Sequence, residues 1–230
     1  GIHEGLVQSW KDIFPKKGEI YFAGALENNE DTGTLQYLAS TAMEAGFSTR
    51  VLDMQALDLQ NGRFFDPAGE LVNRCFKLYP WEWMVDESPD GCLAEMEWLE
   101  PIWKLVMSNK AILATLYELF PDSPYVLPCY LSRPRSGLFC KKPVFSREGH
   151  NVSVVDIRNW EEHVRIAETE GDYNTGAYVY QEYVEPTVYS GRYPVIGSWI
   201  IGGEAAGIGI RENRMEVTDN LSEFVPHIIG

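Results

Sequence analysis

Apolar residues Ile2, Leu6, Val7, Trp10, Ile13 and Phe14 recur at helical spacing, and Pro15 with Gly18 ends the pattern, which predicts a first helix. Residues 20–25 form a short, nearly continuous apolar run that reads as a strand. A polar turn is predicted at residues 27–31. Helical spacing returns with Leu35, Leu38, Ala39, Ala42 and Met43, closed by Gly46, and a second strand is expected near residues 50–54. This β-α-β order usually resolves as a parallel pair with a right-handed crossover. The turn after the first strand has no G-x-G-x-x-G, so a Rossmann-like scaffold without a dinucleotide of its own is expected.

Residues 64–71 read as a small hairpin or loop around Pro67 and Gly69. The dense aromatic stretch Phe76, Tyr79, Trp81 and Trp83 favours core over a ligand platform. From Leu93 the positions Met96, Leu99, Ile102, Trp103 and Val106 return to helical spacing, with Pro101 either splitting them into two elements or kinking one helix. A further helix is predicted over residues 110–120, stopped by Pro121. Beyond it the pattern changes. Residues 125–131, 138–145, 152–157, 177–184, 194–201 and 206–210 read as strands of a mostly antiparallel half, the last two forming a hairpin through Gly202, Gly203 and Glu204. One helix is expected among them, from Trp160 to about Glu168, capped by Asn159.

At 230 residues and 45% hydrophobic content, one large domain or two small ones can be built. No apolar run reaches the roughly 20 residues needed to cross a bilayer, and no signal peptide is read, so no membrane partner is expected. The four cysteines, Cys75, Cys92, Cys129 and Cys140, lack CxxC spacing and sit among apolar neighbours, as suits buried thiols of a cytoplasmic protein with no zinc site. A net charge of −15 disfavours nucleic acid as a partner. The cations that do cluster are Arg133, Arg135, Lys141, Lys142 and Arg147. On an acidic protein such a cluster suits a compact anion such as ATP, the alternative being a charge group that only keeps a loop soluble.

The most informative stretch runs from Lys141 to Val152. It places Lys142, Ser146, Arg147, Glu148 and Gly149 between two predicted strands, with glycine permitting close backbone approach and the cations supplying charge for a phosphate. A hairpin with merely solvated basic residues fits the motif alone about equally well. Other residues add weight: Lys110 at a helix start can share the phosphates with Lys142, and the backbone of Gln181, Glu182, Tyr183 and Val184 can meet an adenine edge at a strand-to-loop transition. Arg211, ending a strand after the glycine-rich hairpin, can stabilise charge on a transferring phosphoryl group. Glu212 and Asn213 are adjacent on a strand and point to opposite faces, so they are taken as turn residues and no metal ligand is assigned.

Several segments together carry a resemblance. They are Ser108-Asn109-Lys110-Ala111-Ile112-Leu113 with Leu119-Phe120-Pro121, Lys142-Pro143 with Ser146-Arg147-Glu148-Gly149 and Asn151-Val152, and Gly197-Ser198-Trp199 with residues 206–212. The stretch 77–83, the turn 30–34 and the terminal Phe224-Val225-Pro226-His227 also match. The chain resembles the glutathionylspermidine synthase family, most of all its stand-alone members without an amidase domain.

The resemblance implies an α/β protein: a Rossmann-like pre-ATP-grasp region over residues 1–107, then a largely antiparallel α+β ATP-grasp region over residues 108–230. It implies an ATP-dependent carbon–nitrogen ligase that passes through an acyl phosphate. Its small-molecule substrates would be a glutathione-like or other peptide carboxylate and a polyamine-like amine. By position, nucleotide contacts fall to Lys110, Lys142, Ser146, Arg147, Glu148, Gly149, Gln181, Glu182, Tyr183 and Val184, and Arg211 matches the arginine near the acyl phosphate. The family's magnesium ligands lie upstream of everything matched, so the chain is expected to be the later part of a longer protein, inactive by itself. The alternative is a non-catalytic nucleotide- or peptide-binding module of the same fold. The segment from Ser146 to His150 is expected to be mobile or weakly packed without nucleotide.

Overall fold

The structure, a computed structural model, describes residues 1–171, 173, 176–217 and 222–228, with the backbone alone at 162–166. The chain divides into two compact units, residues 1–105 with 199–207, and residues 106–198 with 208–230.

The first unit opens with helix α1 (Ile2–Ile13), strand β1 (Glu19–Gly24), helix α2 (Asn29–Glu44) and strand β2 (Ser48–Asp53). β1 and β2 pair in parallel, as the β-α-β pattern requires. α2 starts earlier than expected. The acidic stretch read as a turn is its first turn, where Asn28 accepts a hydrogen bond from the Glu30 N–H at 2.9 Å and Glu30 and Asp31 face the positive end of the helix dipole. A small antiparallel sheet follows, β3 (Asp58–Gln60), β4 (Arg63–Phe65) and β5 (Leu71–Val72), and β4 and β5 are the hairpin expected around Pro67 and Gly69.

Next come β6 (Arg74–Leu78), helices α3 (Trp81–Glu87) and α4 (Pro89–Cys92), and β7 (Glu97–Leu99). The main sheet has the order β2-β1-β6-β7, all parallel. β7 corrects the helix expected from Leu93: its residues alternate between faces, Leu99 packing with the cluster of Trp10, Phe22 and Leu35, and Trp98 with Phe64 and Trp81. Tertiary burial of Trp98 on one face and Leu99 on the other outweighs the helical spacing. The aromatic stretch is core at Tyr79 and Trp81, but Trp83 is exposed. Lys77 is buried too, its ammonium donating to the Tyr79 carbonyl at 2.7 Å and lying 4.0 Å from the Trp81 ring centroid.

Asp66 anchors the turn between β4 and β5. Its carboxylate accepts from the backbone N–H groups of Ala68 and Glu70, both at 2.9 Å, from Tyr21 Oη at 3.2 Å and from Arg50 at 2.7 Å. The backbone bond from Glu70 foremost, with Tyr21, Ala68 and Arg50 adding, holds the carboxyl below its ordinary value against the opposing effect of desolvation. A lowered folded value means the stabilisation is complete above the unfolded value of about 4 and is lost as pH falls through the folded one. Melting temperatures measured from pH 7 to pH 2 should fall more steeply for the wild type than for Asp66→Asn, which starts lower and stays flatter. Parallel curves would refute this role for Asp66.

The second unit takes in most of α5 (Leu105–Ser108), then α6 (Ala111–Leu119), β8 (Cys129–Tyr130), β9 (Gly137–Pro143), β10 (Ser153–Arg158), β11 (Glu161–Glu168) and β12 (Tyr178–Glu182). They form an antiparallel sheet of order β11-β10-β9-β12-β8. β11 replaces the helix expected from Trp160 to Glu168. Asn159 and Trp160 both have positive φ, 50° and 67°, which is the two-residue hairpin turn that sends the chain back antiparallel to β10. Asn159 is thus a turn residue. β8 is also shorter than residues 125–131. The chain ends in β13 (Tyr193–Ile201), β14 (Glu204–Asn213) and β15 (Glu223–Val225), a three-stranded sheet whose first two strands are the expected hairpin. Cys75, Cys92 and Cys129 are buried free thiols, as expected, whereas Cys140 is half-buried; burial pushes the Cys75 thiol up to about 12.

Candidate functional site

β9 and β12 pair so that Cys140 faces Gln181 and Lys142 faces Val179. Because side chains alternate along a strand, these four share one face of the sheet. Lys142 and Gln181 are diagonal neighbours there, and the Lys142 ammonium donates to Gln181 Oε1 at 2.7 Å. Val179, Cys129 and Ala114 of α6 form a buried cluster next to the pair, with Leu113 and Val144 against it. The opposite face carries Phe139, Val155, Ile157 and Tyr180. Both faces of the sheet thus carry core, and Lys142 stands beside the Val179 cluster on one of them.

The loop from Val144 to Val152 joins β9 to β10 beside that cation. Its entry is tied by Lys110, whose N–H donates to the Val144 carbonyl at 2.8 Å and whose ammonium donates to the Ser146 carbonyl at 2.6 Å and to Ser146 Oγ at 2.9 Å. Arg147 and Glu148 are exposed at the tip. There the His150 N–H donates to the Arg147 carbonyl at 2.8 Å, and Glu148 and Gly149 take positive φ of 53° and 73°. The exit is clasped by Thr169, Gly171 and Tyr173. Thr169 Oγ1 accepts from the Val152 N–H at 2.9 Å and donates to the Gly149 carbonyl. Asn151 Nδ2 donates to the Gly171 carbonyl at 2.8 Å and its Oδ1 accepts from the Tyr173 N–H at 2.7 Å.

Within the segment expected to be weakly packed, Ser146 and the residues from Gly149 onward are tied by these bonds, and Arg147 and Glu148 are exposed. Gly171 makes the clasp possible, because a Cβ there would lie 2.5 Å from His150 Cβ and 2.9 Å from Asn151 Oδ1. Gly171→Ala should therefore push the loop exit off the clasp, costing about 1–3 kcal/mol in a denaturation experiment. Unchanged stability would show that the clasp gives way without cost.

At the other end of β12 the Glu182 N–H donates to the Pro128 carbonyl at 2.8 Å and the Tyr183 N–H to the Leu138 carbonyl at 3.0 Å. Both amides are used within the sheet. Val184 is exposed, and among the described residues its N–H enters no backbone bond. Tyr183 Oη lies 3.3 Å from Glu216 Oε2; burial first, then Glu216, pushes the phenol above its ordinary value. Asn213 builds the turn that carries Glu216, its Oδ1 accepting from the Arg214 N–H at 2.7 Å and its Nδ2 donating to the Val217 carbonyl at 3.1 Å.

Arg211 stands on the separate sheet, opposite Phe224, with its guanidinium carbon 5.8 Å from that ring's centroid. No contact among the described residues joins it to Lys110 or Lys142. The structure therefore brings Lys110 to Ser146 and Lys142 to Gln181, and Arg211 to Phe224. The two ammonium groups and the glycine-containing loop match the charge and close approach that a polyphosphate requires. For a metal the match is lacking: among the described residues no group of three or more His, Cys, Asp or Glu side chains converges. Thr169, Gly171 and Glu216 were not foreseen. Asn151 alone carried a local signal, as an asparagine two residues after a turn glycine, and it does take a positive φ of 54°.

A family model described as glutathionylspermidine synthase pre-ATP-grasp matches residues 1–230. The chain is 34% identical over 238 residues to a Haemophilus influenzae protein named "Putative acid–amine ligase", covering 98% of this chain and 61% of that protein. It is 36% identical over 130 residues to a trypanothione synthetase of Crithidia fasciculata, covering 55% of this chain and 19% of that one. A bifunctional glutathionylspermidine synthetase/amidase of Escherichia coli is 26% identical over 232 residues, covering 87% of this chain and 36% of the enzyme. The chain thus spans less than two thirds of the length of each of these relatives. A crystal structure of a Methylobacillus flagellatus protein named "Putative gamma-glutamylcysteine synthetase" shares the fold, with a TM-score of 0.52 and 8% identity over 96% of this chain and 65% of that one.

Proposed function

Because this chain belongs to the glutathionylspermidine synthase pre-ATP-grasp family, whose relatives here include synthetases, we propose that it carries the nucleotide site of an ATP-dependent ligase joining a carboxylate to an amine. In this reading residues 1–107 are the pre-ATP-grasp region and residues 108–230 the ATP-grasp region. The observation that carries it is the Lys142 ammonium, held by Gln181 at 2.7 Å at the root of a loop that Lys110 ties down.

ATP, when bound, would supply the phosphoryl group that turns a carboxylate into an acyl phosphate with ADP leaving, so that an amine can attack the acyl carbon and expel inorganic phosphate. Lys142 and Lys110 neutralise phosphate charge, and the loop with Gly149 excludes water from above. The Val184 N–H, which enters no backbone hydrogen bond among the described residues, would be the donor for the adenine edge. Arg211 would meet charge developing on the transferred group, which requires substrate to bring the two sheets' residues to one ligand. Magnesium ligands are not proposed among the described residues. The substrates that follow from the relatives' names are a glutathione-like carboxylate and a polyamine-like amine, and an acidic protein suits the amine.

The test is release of ADP by the whole protein given ATP, magnesium, glutathione and a polyamine. ADP formation that needs both the acid and the amine supports the ligase. Nucleotide binding without turnover on any acid–amine pair would support a non-catalytic binding module instead.

A further inference from the structure

Gln181 is positioned to do more than line a nucleotide cleft. The Lys142 ammonium has only donors, so the Gln181 atom 2.7 Å from it must be the carbonyl oxygen, and the orientation of the amide is fixed by chemistry. Val179 and Cys129, buried on the same face of the sheet, pack beside the pair. A lysine on a four-carbon stem has several rotamers open to it, and a neutral acceptor at this distance selects one without cancelling the charge. A glutamate in the same place would hold the ammonium as firmly and neutralise it. The protein thus has at position 181 the side chain that fixes a cation and leaves its field available to an anion.

From this we propose that Gln181 is a positioning residue for the phosphate-binding cation, acting through Lys142 and not through a contact of its own with the phosphates. The inference rests on the nucleotide reading above, and the experiment separates the two. Affinities of ATP and adenosine for the whole protein are measured by calorimetry for the wild type, Gln181→Glu, Gln181→Met, Lys142→Met and the double variant Gln181→Met with Lys142→Met.

ATP affinity is expected to fall about tenfold in Gln181→Met and further in Gln181→Glu, while adenosine affinity stays within about twofold of the wild type. In the Lys142→Met background, Gln181→Met is expected to add nothing, since residues acting through one group are not additive. A structural role alone would weaken ATP and adenosine alike. Equal losses for both ligands, additive losses in the double variant, or an ATP affinity in Gln181→Glu equal to the wild type would each overturn the proposal. Absence of ATP binding by the wild type would overturn the nucleotide reading, and this proposal with it.

Discussion

Lys142→Ala should weaken ATP binding by about two orders of magnitude, the effect of removing a charge-assisted contact worth about 3 kcal/mol. Lys142 is half-buried on the sheet face, where solvent screens a charge less than at an open surface. Its stem lies beside Val179, which is fully buried with other partners, so truncation leaves the core of the second unit in place. The melting temperature should therefore stay close to the wild-type value, and adenosine, having no phosphates, should bind nearly as before. Loss of both ligands together would mean that the variant had lost the cleft and not the charge. Retention of full ATP affinity would remove Lys142 from the site.

In the first unit, Phe22→Ala should cost about 3–5 kcal/mol of stability. Phe22 is fully buried at the centre of β1, in register with Val51 on β2 and Phe76 on β6. Its ring centroid lies 5.5 Å from that of Trp10 on α1 and 5.7 Å from that of Phe76, so it joins the helix to the sheet. Trp10 cannot shift freely into the space left behind, because its indole N–H donates to Thr41 Oγ1 of α2 at 2.8 Å. A cavity therefore persists, and its cost adds to the lost transfer energy of the ring. Chemical denaturation followed by tryptophan fluorescence measures the change. A loss under about 1 kcal/mol would show that the layer between α1 and the sheet collapses to fill the gap.

The sequence was most legible where one signal ruled. α1 and α6 follow uninterrupted helical periodicity closed by proline, β1 follows a nearly continuous apolar run, and the parallel pair of β1 and β2 follows from the β-α-β order. Reading failed where two periods fit the same residues. Residues 93–99 have helical spacing, but a tryptophan wanted by one core and a leucine by another make a strand of their last three. Residues 161–168 contain apolar positions that either element can bury, and the deciding feature was a turn, Asn159-Trp160, in which tryptophan takes an uncommon left-handed conformation.

At the candidate site the cations were legible because charge is written in the sequence. Their partners were not. The pairing of Lys142 with Gln181 depends on a strand register across 39 positions, and the grip of Lys110 on Ser146 spans 36. The clasp by Thr169, Gly171 and Tyr173 needs a segment that carries no chemical motif at all.

The central claim is that this chain holds the phosphate end of a nucleotide between Lys110, Lys142 and the loop that joins β9 to β10. Calorimetric titration of ATP with magnesium into the whole protein, wild type beside Lys142→Ala, tests it most directly. The account predicts one-to-one binding by the wild type that is largely lost in the variant. No binding by the wild type, or equal binding by both, would contradict it.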